Sequence, residues 1–257
     1  MKLFTLGTSS CAVNPTRFNS SALLQAGNNL YLFDAGSPCD ALIVRAGHRL
    51  RDIRAIFITH MHLDHIGGLP NLIRAISMEK SDPAESPVII YLPEASGYQA
   101  LQQWLSCTHA VINDRLFEFK VISSEDPNIY QDENISVTVF PTDHIPTTPT
   151  VTYAYGVYSS RGNILFTGDL SADLHDMPDT AYKDQFDVCL CEATHYDPGL
   201  VYHLFQRFSC KRLILTHVHT TWQSDSGAAE LLAFLDGLPY PLEIAFDGAE
   251  YRITPEE

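Results

Sequence analysis

The chain is expected to be an α/β protein, with two mixed β-sheets packed face to face and helices on their outer faces. Three observations predict this. Short β-rich runs follow one another as a meander early in the sequence. Farther on, apolar strands alternate with helix-length segments, the pattern of a parallel sheet covered by helices. At 257 residues and 45% hydrophobic, the chain can also bury a substantial core, with no repeat, low-complexity tract or linker to divide it. One domain over residues 1–257 is the expectation.

The elements follow in order. "KLFTL" reads as a first strand. "SALLQAGNNLYLFDAG" reads as two strands turning at Asn28 and Asn29, since Asn tolerates a left-handed backbone. "AIFIT" (55–59) is a continuous apolar run of the kind buried on both faces. Residues 66–78 should be helical, "VIIYL" (88–92) a buried strand and "EASGYQALQQWL" a helix. The polar run 79–87 is a surface loop. "RLFEFKVI" and "ISVTVFPT" are strands, and "TVTYAYGVYSSRGNILFTGDL" is a hairpin whose polar turn contains Gly162. A strand "FDVCLCEA", a helix at 198–208, a strand "RLILTH" and a helix "GAAELLAFLDGL" complete the pattern.

Composition narrows the function. No apolar run reaches the roughly 18 residues of a membrane helix, and the N-terminus lacks a signal-peptide core, so a cytoplasmic location is expected. Sixteen basic against thirty-one acidic side chains give −15. Extended nucleic-acid binding is not expected, because it needs clustered Lys and Arg to displace counterions. A small anionic substrate is compatible, since bound divalent cations dominate a local field. The six cysteines form no CxxC pair, which fits a reduced compartment. Cys189 and Cys191 alternate within one strand and should be core thiols.

Against this background "ITHMHLDHIGG" (58–68) is anomalous: three histidines and an aspartate occupy six positions after an apolar run. Along an extended segment His60, His62 and Asp64 share one side and His65 takes the other, so a single loop can serve two adjacent metal ions. Imidazole and carboxylate suit Zn²⁺, with Mn²⁺ or Fe also compatible. Gly67 and Gly68 would let the backbone pass close to the site as a helix begins. Three more donors stand at strand ends: His144 after "VTVFPTD", Asp169 after "NILFTG" and His217 after "RLILT".

These motifs resemble the metallo-β-lactamase fold superfamily, whose H-x-H-x-D-H signature His60, His62, Asp64 and His65 match. The likeness covers nearly the whole chain and implies a four-layer αβ/βα sandwich with the site at one edge. It also implies two divalent metal ions, one held by His60, His62 and His144 and one by Asp64, His65 and His217, with Asp169 between them. His62 stands where the redox diiron branch has Glu, which favours hydrolysis. Asp169 stands where dizinc β-lactamases generally have Cys, which disfavours antibiotic hydrolysis. "LGTSS", "HIPTTPTVTYAYGV", "LFTGDL", "CEATH" and "LILTH" are most similar to the ribonuclease Z and small phosphodiesterase branch.

The resemblance implies hydrolysis of a small phosphodiester or cyclic nucleotide by a metal-bridging hydroxide. Carboxyl ester, lactone or thioester hydrolysis and non-catalytic metal binding are the competing readings. The candidate catalytic residues are Asp64, Glu192, His195 and His219. Either His195 or His219 could protonate the leaving group, while Glu192 orients a neighbouring imidazole. tRNA processing is disfavoured on three grounds. Cys191 stands where the resembled ribonucleases place a catalytic His, residues 145–168 leave no room for an RNA-clamping arm, and the charge is unfavourable. His48, His109, His175 and His203 have no partners in the sequence. Thr8, Ser9 and Ser10 either line the pocket or cap a turn, the hydroxyls of "TTPT" (147–150) either meet an anion or stiffen a loop, and Tyr153 and Tyr155 pack.

Overall fold

Alternation along the strands decides how the layers assemble. In the computed structural model, which describes residues 1–80, 86–110, 112–123, 125–144 and 150–253, the first sheet takes β1 (Lys2–Gly7), β2 (Ser21–Ala26), β3 (Asn29–Phe33), β4 (Ile53–Phe57), β5 (Val88–Leu92) and β6 (Phe117–Val121) side by side. The second takes β7 (Asn128–Gln131), β8 (Ser136–Thr142), β9 (Thr152–Tyr158), β10 (Ile164–Phe166), β11 (Val188–Ala193), β12 (Leu213–Val218) and β13 (Leu242–Ile244) in sequential order. The last strand, β14 (Ala249–Arg252), returns to the first sheet and pairs antiparallel with β1. Each sheet is mixed: its first strands form a meander and its later ones run parallel.

Helices cover the outer faces. α1 (Cys39–Arg45), α2 (Leu63–Ile66), α3 (Leu69–Glu79) and α4 (Ala95–Cys107) belong to the first half, and α5 (Thr180–Lys183), α6 (Pro198–Phe205) and α7 (Asp225–Phe234) to the second. Three apolar clusters result. Tyr31 and Phe33 of β3 point between the sheets, whereas Leu30 and Leu32 point out to the helices of the first half. In β11 Val188 and Leu190 face inward, while Cys189 and Cys191 face the second helical layer as core thiols. This is the predicted four-layer αβ/βα sandwich. Among the described residues no helix is long and apolar enough to cross a membrane.

Local departures have physical reasons. The β2–β3 turn falls on Gly27 and Asn28, with Asn29 already in β3, because the left-handed position is Gly27 (φ 62°). The helix expected at 66–78 is two helices broken at Gly67 and Gly68. A Cβ on Gly68 would lie 2.8 Å from the Ala35 carbonyl oxygen and 2.9 Å from Cys39 Sγ, so the chain passes there only because that side chain is absent. The strands β7, β13 and β14, of four, three and four residues, carry too little pattern to predict. Part of the expected 79–87 loop (81–85) and most of "TTPT" (147–149) lie outside the described residues.

Between the sheets an aromatic stack joins the layers. Phe166 of β10 lies on Phe33 (3.9 Å, 8°), Phe33 beside Phe57 (5.0 Å, 18°) and Phe57 beside Tyr91 (5.2 Å, 10°). Phe33 touches both sheets. Phe33→Ala is expected to destabilise the fold by about 3–5 kcal/mol in chemical denaturation, the usual cost of deleting a buried ring. A loss below about 1 kcal/mol would show that the stack does not hold the sheets together.

Candidate metal centre

The C-terminal ends of β3, β4, β8, β10, β11 and β12 meet at one edge of the sandwich, and each delivers a polar residue there. β4 leads into His60, His62, Asp64 and His65; β8 into His144; β10 into Asp169; and β12 carries His217. His60, His65 and His217 are 1–3% exposed, Asp169 3% and Asp64 9%. A sandwich core does not ordinarily admit such groups.

Their donor atoms fall into groups that could each hold an ion: His60, His62, His144 and Asp169 in one, and Asp64, His65 and His217 in another. Asp169 faces both. Its Oδ2 lies 3.6 Å from Nε2 of both His60 and His144, and its Oδ1 lies 3.3 Å from His65 Nε2 and 3.5 Å from His217 Nδ1. Two donors on one tetrahedral zinc at the usual bond length stand about 3.3 Å apart. The spacing therefore fits shared coordination better than direct hydrogen bonding. His60 Nε2, His65 Nε2, Asp169 Oδ1 and His217 Nδ1 are buried with no hydrogen-bond partner, an arrangement that suits a cation. The clustered donors form a divalent metal site.

The expected alternation is not how the donors are divided. His62 is extended, but the chain turns helical at Leu63. Asp64 and His65 are therefore adjacent helical residues about 100° apart, not on opposite sides, and Asp64 joins His65 instead of His60 and His62.

A second layer aims the rings. Asp34, in a left-handed conformation (φ 58°) at the end of β3, accepts the Thr59 amide (2.8 Å) and hydroxyl (3.0 Å) on Oδ1 and His65 Nδ1–H (2.7 Å) on Oδ2. The Thr59 hydroxyl also lies 3.0 Å from His60 Nδ1 and can accept its proton. Both imidazoles are thereby held by Nδ1 with Nε2 presented to the site. Burial opposes a charge on His65, yet Asp169 and Asp34 outweigh it and hold its pKa well above the ordinary value. Burial and the neighbouring His65 push His60 well below. Burial would raise Asp169, but His217 and His65 overcome it and keep the carboxyl ionised. Asp64 follows the same pattern, with the His217 hydrogen bond outweighing burial.

Glu192 joins the site to a further imidazole. Its buried carboxylate accepts Leu170 N (2.8 Å), Thr194 N (2.8 Å), His195 N (3.0 Å) and His195 Nδ1–H (2.9 Å). Burial disfavours a charge on His195, but Glu192 prevails and raises its pKa. His195 stands 4.2 Å from the His144 ring and borders a cavity of about 560 Å³ with Ser10, Ala12, His62, Asp64 and His219. His219 is exposed, and its Nδ1 meets the Thr221 hydroxyl (2.9 Å). Glu192 thus holds the His195 ring at the cavity, whereas His219 has only the Thr221 contact at the surface.

Cys191 is 0% exposed among the second helical layer, on the face of β11 opposite Glu192. A side chain at 191 cannot reach the site, so Cys191 is no argument against RNA cleavage. His175, expected to lack partners, meets Asp173 (2.6 Å) and Asp143 (3.4 Å). His48 packs edge-on against Phe4, and His109 and His203 are exposed. Thr8 donates to Asp247 and Ser9 to the Ala12 carbonyl, leaving Ser10 to line the cavity. Tyr153 and Tyr155 are buried between the sheets. The sequence reading missed Asp34 and Thr59, although "FDAG" ends a strand just as the recognised donors do.

The family described as Anti-Pycsar protein Apyc1 matches residues 1–235, and the chain belongs to it. Ribonuclease Z of Treponema denticola is 31% identical over 165 residues, 63% of this chain and 50% of that protein. The chain spans about half the length of such curated relatives. Human tRNase Z, short form, superposes with a TM-score of 0.76 at 21% identity, covering 99% of this chain and 100% of that one. The metallo-β-lactamase fold protein YhfI of Bacillus subtilis does so at 0.74 and 19%, covering 98% and 99%. The chain thus has the metallo-β-lactamase fold and is similar in sequence to ribonuclease Z proteins.

Asp34→Asn, isosteric but unable to offer both acceptor oxygens, is expected to weaken metal affinity about 10- to 100-fold in chelator competition. Unchanged affinity would show that Asp34 does not orient the imidazoles.

Proposed function

We propose that the chain is a dinuclear-metal hydrolase that cleaves a small phosphodiester or cyclic nucleotide. The observation that carries this reading is Asp169, with imidazoles flanking each of its two buried oxygens. His60, His62 and His144 would hold one ion, Asp64, His65 and His217 the other, and Asp169 both. The all-N/O donor set suits Zn²⁺, with Mn²⁺ or Fe compatible. Such an ion pair, when bound, supplies Lewis acidity to a phosphoryl oxygen and acidifies water. Both sheets contribute donors, so the whole chain acts as one unit.

The remaining chemistry belongs to the protein. Glu192 occupies His195 Nδ1, so a protonated His195 can give its Nε2 proton to the departing oxygen. The cavity of about 560 Å³ is sized for a small molecule, and its described lining includes no Lys or Arg. A single anionic group held by metal fits it. Cleavage of RNA is the second reading, supported by curated relatives named Ribonuclease Z. Ester, lactone or thioester hydrolysis is the third, because it can use the same donors.

Metal-loaded protein tested on bis(p-nitrophenyl) phosphate, a cyclic nucleotide, a pre-tRNA, a lactone and a thioester separates these readings. Phosphodiester turnover should dominate, vanish on chelation and fall by orders of magnitude in Asp169→Ala. Faster lactone or thioester turnover would move the assignment to carboxyl chemistry, and efficient pre-tRNA cleavage would move it to RNA.

The proton donor has its own signature. His195→Ala should slow a diester with a poor alkoxide leaving group by about 10²-fold, while barely affecting a p-nitrophenyl ester, whose leaving group departs unaided. The same contrast in His219→Ala instead would transfer the role to His219. Equal losses on both substrates would remove a protein acid from the reaction.

A further inference from the structure

We propose that Asp176 is a positioning residue: its carboxylate staples the segment carrying His144 to the segment carrying Asp169 and so holds the first metal group together. The inference rests on the dinuclear reading above and extends it to a residue outside the donor set.

The staple answers a problem of sheet geometry. His144 follows β8 and Asp169 follows β10, but β9 lies between those strands. Alternate strands stand about 10 Å apart, yet His144 Nε2 and Asp169 Oδ2 are 3.6 Å apart. The two segments must therefore fold over the end of β9 and be held there. A direct link between them among the described residues, from His144 Nδ1 to the Leu170 carbonyl, is 3.4 Å long.

Asp176 supplies shorter links. Its Oδ2 accepts the amide of Asp143, the residue before His144, at 2.8 Å and across 33 positions of sequence. Its Oδ1 accepts the Ser171 amide at 3.0 Å and the Ser171 hydroxyl at 2.6 Å, two residues past Asp169. Amide donors to a carboxylate make short, strong hydrogen bonds. A carboxylate that merely closed its own turn would account for Ser171 but not for Asp143.

The turn that bears Asp176 is itself anchored. Leu174 N bonds to the Ser171 carbonyl (3.0 Å) and Met177 N to that of Leu174 (3.1 Å). Leu170, Leu174 and Met177 are buried in the second outer cluster. The donors of the second group take no bond from Asp176. His65 is held by Asp34, and His217 sits on β12 with its ring against Asp64 (3.1 Å). His144 belongs to the first group alone and Asp169 is shared, so loss of Asp176 should loosen the first ion more than the second.

Zinc binding to the full chain, measured by chelator competition alongside thermal unfolding of the metal-free protein, tests this. In Asp176→Ala the affinity for one of the two ions should fall about 10-fold or more, with the other ion affected less and metal-free unfolding unchanged. Asp176→Asn, which keeps one acceptor oxygen, should fall between, and it decides the matter if the alanine variant does not fold. Wild-type affinity for both ions, equal weakening of both, or a metal-free protein destabilised as much as the loaded one would overturn the staple. His144→Ala separates this from the parent reading. If it too keeps both ions, the metal assignment fails; if it loses one while Asp176→Ala loses none, only the staple fails.

Discussion

Two sheets that share no strand have to be joined at one edge, and every property of the site depends on that seam. Val218 N donates to the Thr8 carbonyl (2.8 Å), Tyr153 N to that of Thr59 (3.0 Å) and the Tyr155 hydroxyl to that of Ile58 (2.6 Å). Each bond runs from the second sheet to the first. Two of the three also involve a residue beside a donor: Val218 follows His217, and Thr59 precedes His60. The backbone bonds that close the sandwich therefore also set the separation of metal-binding groups carried on different sheets.

Closing that edge around titratable groups is expensive. An unpartnered buried polar atom costs on the order of 1–3 kcal/mol, and four stand together at this edge. Asp34 and His217 additionally adopt left-handed backbone conformations (φ 58° and 48°), each costing on the order of 1–3 kcal/mol for a non-glycine residue. A sequence selected for stability alone would place apolar side chains here. The Phe33 stack and two outer cores elsewhere offset the penalty, and a bound cation would satisfy the orphaned atoms.

Much of this was legible in the sequence because the donors break the local rules. H-x-H-x-D-H after a buried strand cannot be core, and His144, Asp169 and His217 each interrupt the end of an apolar run. Asp34 ends an apolar run as well, but Asp before Ala-Gly is also ordinary turn chemistry, and nothing local says its carboxylate reaches residues 25 and 31 positions away. Thr59 looks like any strand threonine. Treating Cys191 as a lost catalytic position ignored the period of two that had already paired Cys189 and Cys191 as core thiols: if 191 faces the core, 192 faces the site. Grouping Asp64 with His60 and His62 by alternation failed for the opposite reason, since a period of two was carried past the point where the backbone becomes helical.

The backbone of Leu170, through its two flanking peptides, links the metal group to the Glu192 anchor. Its N–H is held by Glu192, the residue that also fixes His195, and its carbonyl faces His144 Nδ1. A shift of that residue's backbone displaces a member of the first metal group and moves against the anchor of the proposed proton donor. The two are therefore kept in register by covalent geometry, not by independent packing. Proton delivery to a leaving oxygen, the role proposed for His195, demands placement within hydrogen-bond reach, and the shared anchor keeps His195 fixed relative to the first metal group. Glu192 does its work without touching the reacting atoms: one buried carboxylate, pinned by three backbone amides, is the common reference for both.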